Sequence, residues 1–101
     1  QRAFSEEERR DRLRLVASRD GRDGSVTIHQ DASVYASLLA RGRRVSHGFA
    51  PGRSGWLQVV RGTVGAGGVE LSAGDGAALT GEAFLEISAD RDSEFLLFDL
   101  G

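Results

Sequence analysis

The sequence predicts an all-β domain, built as a sandwich, a jelly roll or a barrel. Turn signals recur about every eight to twelve residues from residue 13 onward, with short apolar-rich segments between them. The same stretch shows no sustained helical periodicity. A length of 101 residues suits one such domain, since a single core usually organises about 100–200 residues. These three observations indicate nine or ten strands with no helix between them.

The first twelve residues stand apart from this pattern. Ser5 followed by Glu8 fits a capping box, which favours the start of a short helix. Residues 6–12 have almost no apolar face, so a helix there would be solvated. We therefore predict a linker or short helix from a preceding domain over residues 1–12, and a β-barrel domain over residues 13–101.

The strands follow in order, each ended by a turn signal. Glycine tolerates positive φ and proline fixes φ, so pairs such as Asp-Gly, Pro-Gly and Gly-Gly favour tight turns. Such signals fall at residues 20–21, 23–24, 41–42, 51–52, 62, 67–68 and 74–76. The predicted strands are residues 13–17, 25–30, 34–39, 45–49, 56–60, 63–66, 69–71, 77–79, 84–89 and 94–100.

The last two predicted strands differ in their pattern. Residues 84–89 alternate between apolar and polar side chains, which indicates one buried face. Residues 94–100 form a nearly continuous apolar run, which predicts a strand buried on both faces. The glycine-rich residues 65–68 precede no helix, so they are a hairpin tip and not a phosphate-binding loop.

Three segments resemble the signature motifs of cupins. Residues 42–52 and 56–62 resemble the first motif, in which a glycine precedes a His-x-His pair, a glutamate follows and a glycine ends the stretch. Residues 71–76 resemble the glycine–aspartate turn that opens the second motif. The resemblance implies an all-β, cupin-type double-stranded β-helix, which is a jelly-roll barrel.

A closer resemblance covers most of the chain. Residues 12–18, 24–31, 74–79 and 95–100 resemble the C-terminal domain of pirin-like two-cupin proteins, some of which are quercetin 2,3-dioxygenases. The resemblance implies that iron or a similar divalent metal sits in the N-terminal half of the protein. The expected partner is that N-terminal cupin half, or a homodimer mate that covers the same surface.

The residues for a cupin metal site are largely missing. Cupin sites in this resemblance combine three histidines with one carboxylate, a mixture that suits iron, manganese, nickel or copper. Only His47 remains, at the first histidine position; Phe49 takes the second. Residues 53–55 contain no acid at the carboxylate position, and Phe84 takes the last histidine position. We therefore expect a degenerate site, with no metal, no cofactor and no catalytic residue in this domain.

One alternative keeps a metal in this chain. A stand-alone cupin enzyme would use His47 with an atypical ligand set. His29 and either Glu86 or Asp31 are the candidate additional ligands. Nothing in their spacing requires them to converge.

A second alternative is a small-molecule pocket. Trp56 and Gln58 share one face of a predicted strand, so a ligand could pack on the indole and bind the amide. With His47 they are the candidate binding residues. The competing interpretation is that Trp56 fills the barrel or covers an interface with the other cupin half.

Composition limits the remaining function classes. A net charge of −2 offers no basic footprint for nucleic acid. No apolar run approaches the roughly 20 residues that span a bilayer. The chain has no cysteine, which is compatible with the cytoplasmic location that we expect. It begins with Gln1 rather than Met, so we expect it to be a piece of a longer protein.

Overall fold

A computed structural model describes residues 3–81 and 83–101, and it confirms the all-β prediction. One short helix, α1 (Glu6–Arg9), precedes the strands, and a 3₁₀ turn (Arg22–Gly24) follows the first of them. The strands are β1 (Arg14–Ser18), β2 (Val26–Thr27), β3 (Ala32–Leu39), β4 (Arg44–Gly48), β5 (Ser54–Arg61), β6 (Thr63–Ala66), β7 (Val69–Ser72), β8 (Gly76–Leu79), β9 (Phe84–Ala89) and β10 (Ser93–Leu100).

The strands form two facing sheets. The larger sheet has the order β2-β1-β3-β10-β5-β8, and the smaller has the order β4-β9-β6-β7. After β3, every connection except the β6–β7 hairpin crosses from one sheet to the other. Adjacent strands are antiparallel apart from β1 and β2. This crossing pattern is that of a jelly roll.

The core lies between the two sheets, because alternate side chains of each strand point to the same face. The larger sheet contributes Leu57, Val59, Phe95 and Leu97, and the smaller contributes Val64, Leu85 and Ile87, all of them at most 2% exposed. Burial of each such side chain stabilises the fold by about 1.5–3 kcal/mol. These residues hold the sheets face to face.

Strand β10 occupies the middle of the larger sheet, between β3 and β5. Its odd-numbered residues Phe95, Leu97 and Asp99 are buried, whereas Leu96 and Phe98 on the other side are only partly buried. The prediction of burial on both faces is therefore wrong for this chain. Within the described ranges no second sheet covers the outer side of β10, so Leu96, Phe98 and Leu100 keep partial solvent contact.

The amino-terminal segment is fastened to the sheet. The predicted capping box is present, with the Ser5 and Glu8 side chains each accepting from the other's backbone N–H. Arg9 Nη1 pairs with Glu94 of β10 at 3.1 Å. The backbone N–H of Ala40 donates to Asp11 Oδ1 at 2.8 Å. Residues 1 and 2 of the predicted linker lie outside the described residues.

One predicted hairpin turn has the expected geometry, and one predicted strand is shorter than expected. The β6–β7 hairpin turns through Gly67 and Gly68, both with positive φ. Of the strand predicted over residues 25–30, only β2 pairs, in a parallel register with the end of β1. No helix in the described ranges is long and apolar enough to cross a membrane.

Candidate functional site

A cleft of about 470 Å³ opens beside His47, and we call it the His47 cleft. The histidine lies on β4 of the smaller sheet, and Tyr35 and Asp99 reach the cleft from β3 and β10 of the larger sheet. Arg53 enters from the turn before β5. The cleft therefore sits where one end of the sandwich brings both sheets together.

A carboxylate links the two sheets in this cleft. His47 Nε2 lies 2.8 Å from Asp99 Oδ2, and Arg53 Nε donates to Asp99 Oδ1 at 2.6 Å. The His47 and Asp99 side chains are only 12% and 11% exposed. An ionised carboxylate only accepts hydrogen bonds, so His47 Nε2–H is the donor in this contact.

Arg53 joins a second carboxylate to this network. Its Nη1 donates to Asp31 Oδ1 at 3.0 Å, and its Nη2 donates to the backbone carbonyls of Asp31 and Asp99. The hydrogen bonds to the Asp99 and then the Asp31 carboxylates raise the pKa of Arg53 above its ordinary value. The Arg53 guanidinium thus places a positive charge between the Asp31 and Asp99 carboxylates.

Aromatic rings enclose His47 on two sides. The ring centroids of Tyr35 and Phe49 each lie 4.8 Å from that of His47, with the Phe49 ring edge-on. Phe49 is buried, and its phenyl ring occupies space at the predicted second ligand position. The imidazole is therefore fixed by rings as well as by Asp99.

A second ion pair lies at the rim of the cleft. Arg22 Nη1 pairs with Asp20 at 3.0 Å, and Arg22 Nη2 donates to Ser33 Oγ at 3.1 Å. The backbone and then the side-chain hydrogen bonds from Arg22 lower the pKa of Asp20. In return, the Asp20 hydrogen bond raises the pKa of Arg22.

The donor atoms around His47 do not fit a cupin metal site. The Nε2 atom is occupied by Asp99, and Phe49 offers no lone pair. No group of three or more His, Asp or Glu side chains within the described ranges could hold a metal ion. The resident metal that the resemblance implies for two-cupin proteins thus finds no ligand set here.

The residues considered as additional ligands lie elsewhere. His29 is exposed, and Glu86 is on the outer side of β9, where it pairs with Arg44 at 3.6 Å. Only Asp31 reaches the cleft, and it binds Arg53. The structure does not bring these groups together around the histidine.

Phe84 is also outside the His47 cleft. It is 61% exposed, and the register pairs the next residue, Leu85, with His47. Its side chain therefore points away from the histidine, to the outer side of the smaller sheet. Adjacent strand residues point to opposite faces, so a shift of one residue moves the side chain out of the sandwich.

Trp56 and Gln58 lie on the outer side of the larger sheet, away from His47. Trp56 Nε1 donates to Gln58 Oε1 at 3.1 Å, and the Gln58 amide donates to the carbonyls of Gly74 and Asp75. These two side chains border a shallow apolar surface, here called the apolar outer face, made by Trp56, Gln58, Leu96, Phe98 and Leu100. The three predicted binding residues thus belong to two separate surfaces.

Asp99 and Tyr35 were not among the site residues predicted from the sequence. A signal for Asp99 was available, because it is the one charged residue at an inward position of the apolar run in β10. Asp99 points to the same side of the strand as Phe95 and Leu97, which is the inside of the sandwich. A buried charge is retained only when it is paired, so this position indicated a partner inside the sandwich. Tyr35 gave no such signal, since a tyrosine on a strand is ordinary.

Comparison with known proteins gives consistent matches to one family. The family model of the quercetinase C-terminal cupin domain matches residues 15–100. A quercetin 2,3-dioxygenase of Escherichia coli K12 is 46% identical over 86 residues, which cover 85% of this chain and 37% of that protein. A putative quercetin 2,3-dioxygenase of Pseudomonas aeruginosa is 34% identical over 98 residues, covering 96% of this chain and 42% of that protein.

Solved structures agree with these sequence matches. The crystal structure of YhhW from Escherichia coli superposes with a TM-score of 0.92 at 42% identity, covering 99% of this chain and 42% of that one. The structure of bacterial pirin YhhW from Escherichia coli in complex with nickel(II) superposes with a TM-score of 0.85 at 45% identity. This match covers 87% of this chain and 38% of that one. The chain spans less than half the length of these relatives. With the family model matched over residues 15–100, the chain belongs to the quercetinase C-terminal cupin domains of pirin-like proteins.

Proposed function

We propose that this chain is a metal-free cupin domain that serves as the structural partner of a catalytic cupin half in a quercetin 2,3-dioxygenase-like protein. The observation that carries the proposal is the apolar outer face on the larger sheet. Trp56 is 39% exposed there, and Leu96, Phe98 and Leu100 of the central strand lie beside it. A contiguous exposed apolar patch of this kind marks an interaction surface.

The occupant of this face is the other cupin half of the same polypeptide. The relatives carry more than half of their length outside the region matched by this chain, so a tethered occupant is available in them. Tethering raises the effective concentration of the occupant, which favours it over a second copy of this chain. The apolar run of β10, which is typical of a strand buried on both faces, supports a covering layer.

The metal belongs to that other half in this proposal. His47 uses its Nε2 atom for Asp99, and the Arg53 guanidinium places a fixed positive charge against the same carboxylate. A second cation beside that guanidinium would be repelled. No catalytic residue is assigned to this chain, and the nickel(II) of the YhhW complex is attributed to the part of YhhW outside the match.

We also propose residues 1–12 as the connection to the preceding half. The Arg9–Glu94 pair and the Asp11 hydrogen bond to Ala40 hold this segment against the end of the larger sheet. A connection fastened in this way restricts the orientations that the other half can adopt.

Two phenylalanines allow a matched test of the docking surface. Phe98→Glu introduces a charge into the apolar outer face, whereas Phe84→Glu introduces the same charge on the outer side of the smaller sheet. In the two-cupin parent protein, we expect Phe98→Glu to separate the halves and to lengthen the maximum dimension in small-angle scattering. Phe84→Glu should leave the scattering profile unchanged.

The same variants in the 101-residue chain provide the folding control. Both should keep the far-ultraviolet circular dichroism of the unsubstituted chain, because neither position is in the core. A parent protein that stays compact with Phe98→Glu would contradict the proposed docking surface. A concentration-dependent dimer of the 101-residue chain that Phe98→Glu abolishes, with an unaffected parent, would assign the face to a second copy.

A further inference from the structure

We propose that the His47 cleft binds a small oxyanion-bearing molecule, a carboxylate or a phosphate ester, through Arg19 and Arg22. This site is independent of the apolar outer face and of the role proposed above. It has a volume of about 470 Å³, which is within the range of small-molecule pockets. The selectivity of the cleft depends on which of its hydrogen-bonding groups are already in use.

Each of the three cleft carboxylates already has a cationic or imidazole partner. Asp99 is held by His47 and Arg53, at 2.8 and 2.6 Å. Asp31 is held by Arg53 and Asp20 by Arg22, each at 3.0 Å. A cationic ligand would have to break one of these pairs, so the cleft does not select for a cation.

The guanidinium groups, in contrast, keep unused donors. Arg19 lines the cleft, is exposed, and makes no ion pair or side-chain hydrogen bond with any described residue. Arg22 has five N–H donors; it uses one on Asp20 and one on Ser33, and the Tyr35 hydroxyl interacts with the same guanidinium. The unused capacity around the cleft is therefore mainly donor capacity, which a planar oxyanion satisfies with charge-assisted bonds.

The floor of the cleft accepts the rest of such a ligand. Tyr35 and His47 present tilted rings at 4.8 Å, and Ala32 and Ala50 add small apolar side chains. Small side chains at these positions leave room beside the rings. A compact molecule with one oxyanion and one apolar or aromatic part matches this lining.

The cleft stays open when the apolar outer face is covered. On β10, the Asp99 side chain points into the sandwich, whereas Phe98 and Leu100 point outward. Opposite sides of one sheet cannot be covered by the same docked surface. The proposed binding site and the proposed docking surface therefore do not compete.

The test is a titration of the 101-residue chain with benzoate and with inorganic phosphate, followed by NMR. The chain has two histidines and one tryptophan, so their ring signals report on known places. We expect saturable shifts of the His47 ring signals and none of the Trp56 indole N–H signal. A stronger response to benzoate assigns the site to carboxylates, and a stronger response to phosphate assigns it to phosphate esters.

Two matched comparisons, one between variants and one between ligands, test the proposal. Arg19→Gln should weaken binding about tenfold through loss of a charge-assisted hydrogen bond, whereas Arg43→Gln, at an exposed arginine outside the cleft, should not. Neutral benzamide should bind more weakly than benzoate. Equal binding of benzamide, equal affinity of Arg19→Gln, or no saturable shift with either anion would overturn the proposal.

Discussion

Asp99 is a charged residue in the most apolar strand of the chain, and its surroundings explain why it is tolerated. A buried carboxylate is costly unless opposite charge and hydrogen bonds compensate for lost hydration. Here His47 comes from the smaller sheet and Arg53 from the turn before β5, so the carboxylate of β10 holds three parts of the fold together. The side chain therefore acts as a polar link at one end of an apolar sandwich.

Removal of this charge should destabilise the domain. We expect Asp99→Asn to lower the free energy of unfolding by about 1–3 kcal/mol, because the Arg53 guanidinium would lose its closest anionic partner. Asp90→Asn, at an exposed position, is the matched control. Urea unfolding followed by Trp56 fluorescence measures both, and equal midpoints would show that the network contributes nothing to stability.

The surroundings of His47 also lead to a prediction of how much metal the purified chain binds. Elemental analysis of the purified chain after incubation with ferrous, nickel, copper or zinc ions should give less than about a tenth of an equivalent of each, because one imidazole does not make a selective site. The His47→Ala variant is the control for binding at this position. About one equivalent that disappears in His47→Ala would reverse the interpretation and make the domain a candidate metalloenzyme.

Individual residues were only partly predictable from the sequence. The resemblance singled out His47 and Phe49, whose ring centroids lie 4.8 Å apart in the structure. It was not enough to show Arg53 in the space between Asp31 and Asp99, because that contact joins residues distant in sequence. Spacing along one strand carries no information about which strand of the facing sheet supplies the partner.

Among the elements, the turn at Gly62 shows most clearly a requirement for glycine, because there is no room for a side chain. Its φ is +85°, and a Cβ atom there would lie against Ser93 Oγ and within 2.5 Å of the Asp92 carbonyl oxygen. The Ser93 hydroxyl in turn bonds to the backbone of Thr63 at 3.1 Å. The start of β6 is thereby locked to the start of β10.

A comparison of Gly42 with Gly62 separates the cost of positive φ from the cost of steric overlap. Gly42 has nearly the same φ of +83°, but a Cβ atom added there would meet nothing within 4 Å. We expect Gly42→Ala to cost about 1 kcal/mol from φ alone, and Gly62→Ala to cost at least about 2 kcal/mol more from the added overlap. Thermal unfolding of both variants measures the difference, and equal melting temperatures would contradict the crowding argument.

Most elements followed from local patterns, and the exceptions have a structural cause. The bounds predicted for β6 and β9 agree with the structure, because glycines flank β6 and the alternation of apolar and polar residues marks β9. Strand β2 is shorter than predicted, since it is an edge strand that pairs only with the last residues of β1. The number of residues that pair in an edge strand depends on the length of the neighbouring strand. The sequence of the edge strand itself does not encode that length.

At the scale of the whole molecule, the larger sheet separates two surfaces of different chemistry. Its inner side contributes Tyr35 and Asp99 to the polar His47 cleft, and its outer side carries Trp56 in an apolar setting. The sequence offered His47, Trp56 and Gln58 together as candidate binding residues, but His47 lies in the cleft and the other two lie on the outer face. The alternation of side chains along each strand could be predicted from the sequence. The assignment of β4 and β5 to different sheets could not, because it depends on long-range pairing.

The position of β10 has a consequence for how the chain acquires its structure during synthesis. The strand is the last in the sequence, yet β3 and β5 meet only through it. While the ribosome still holds residues 93–100 in its exit tunnel, the larger sheet remains in two separate pieces with their apolar sides open. Such sequence-distant pairing is slow to form. The domain therefore completes its sheet only after residues 93–100 have left the tunnel, and the unpaired edges of β3 and β5 are prone to aggregation until then.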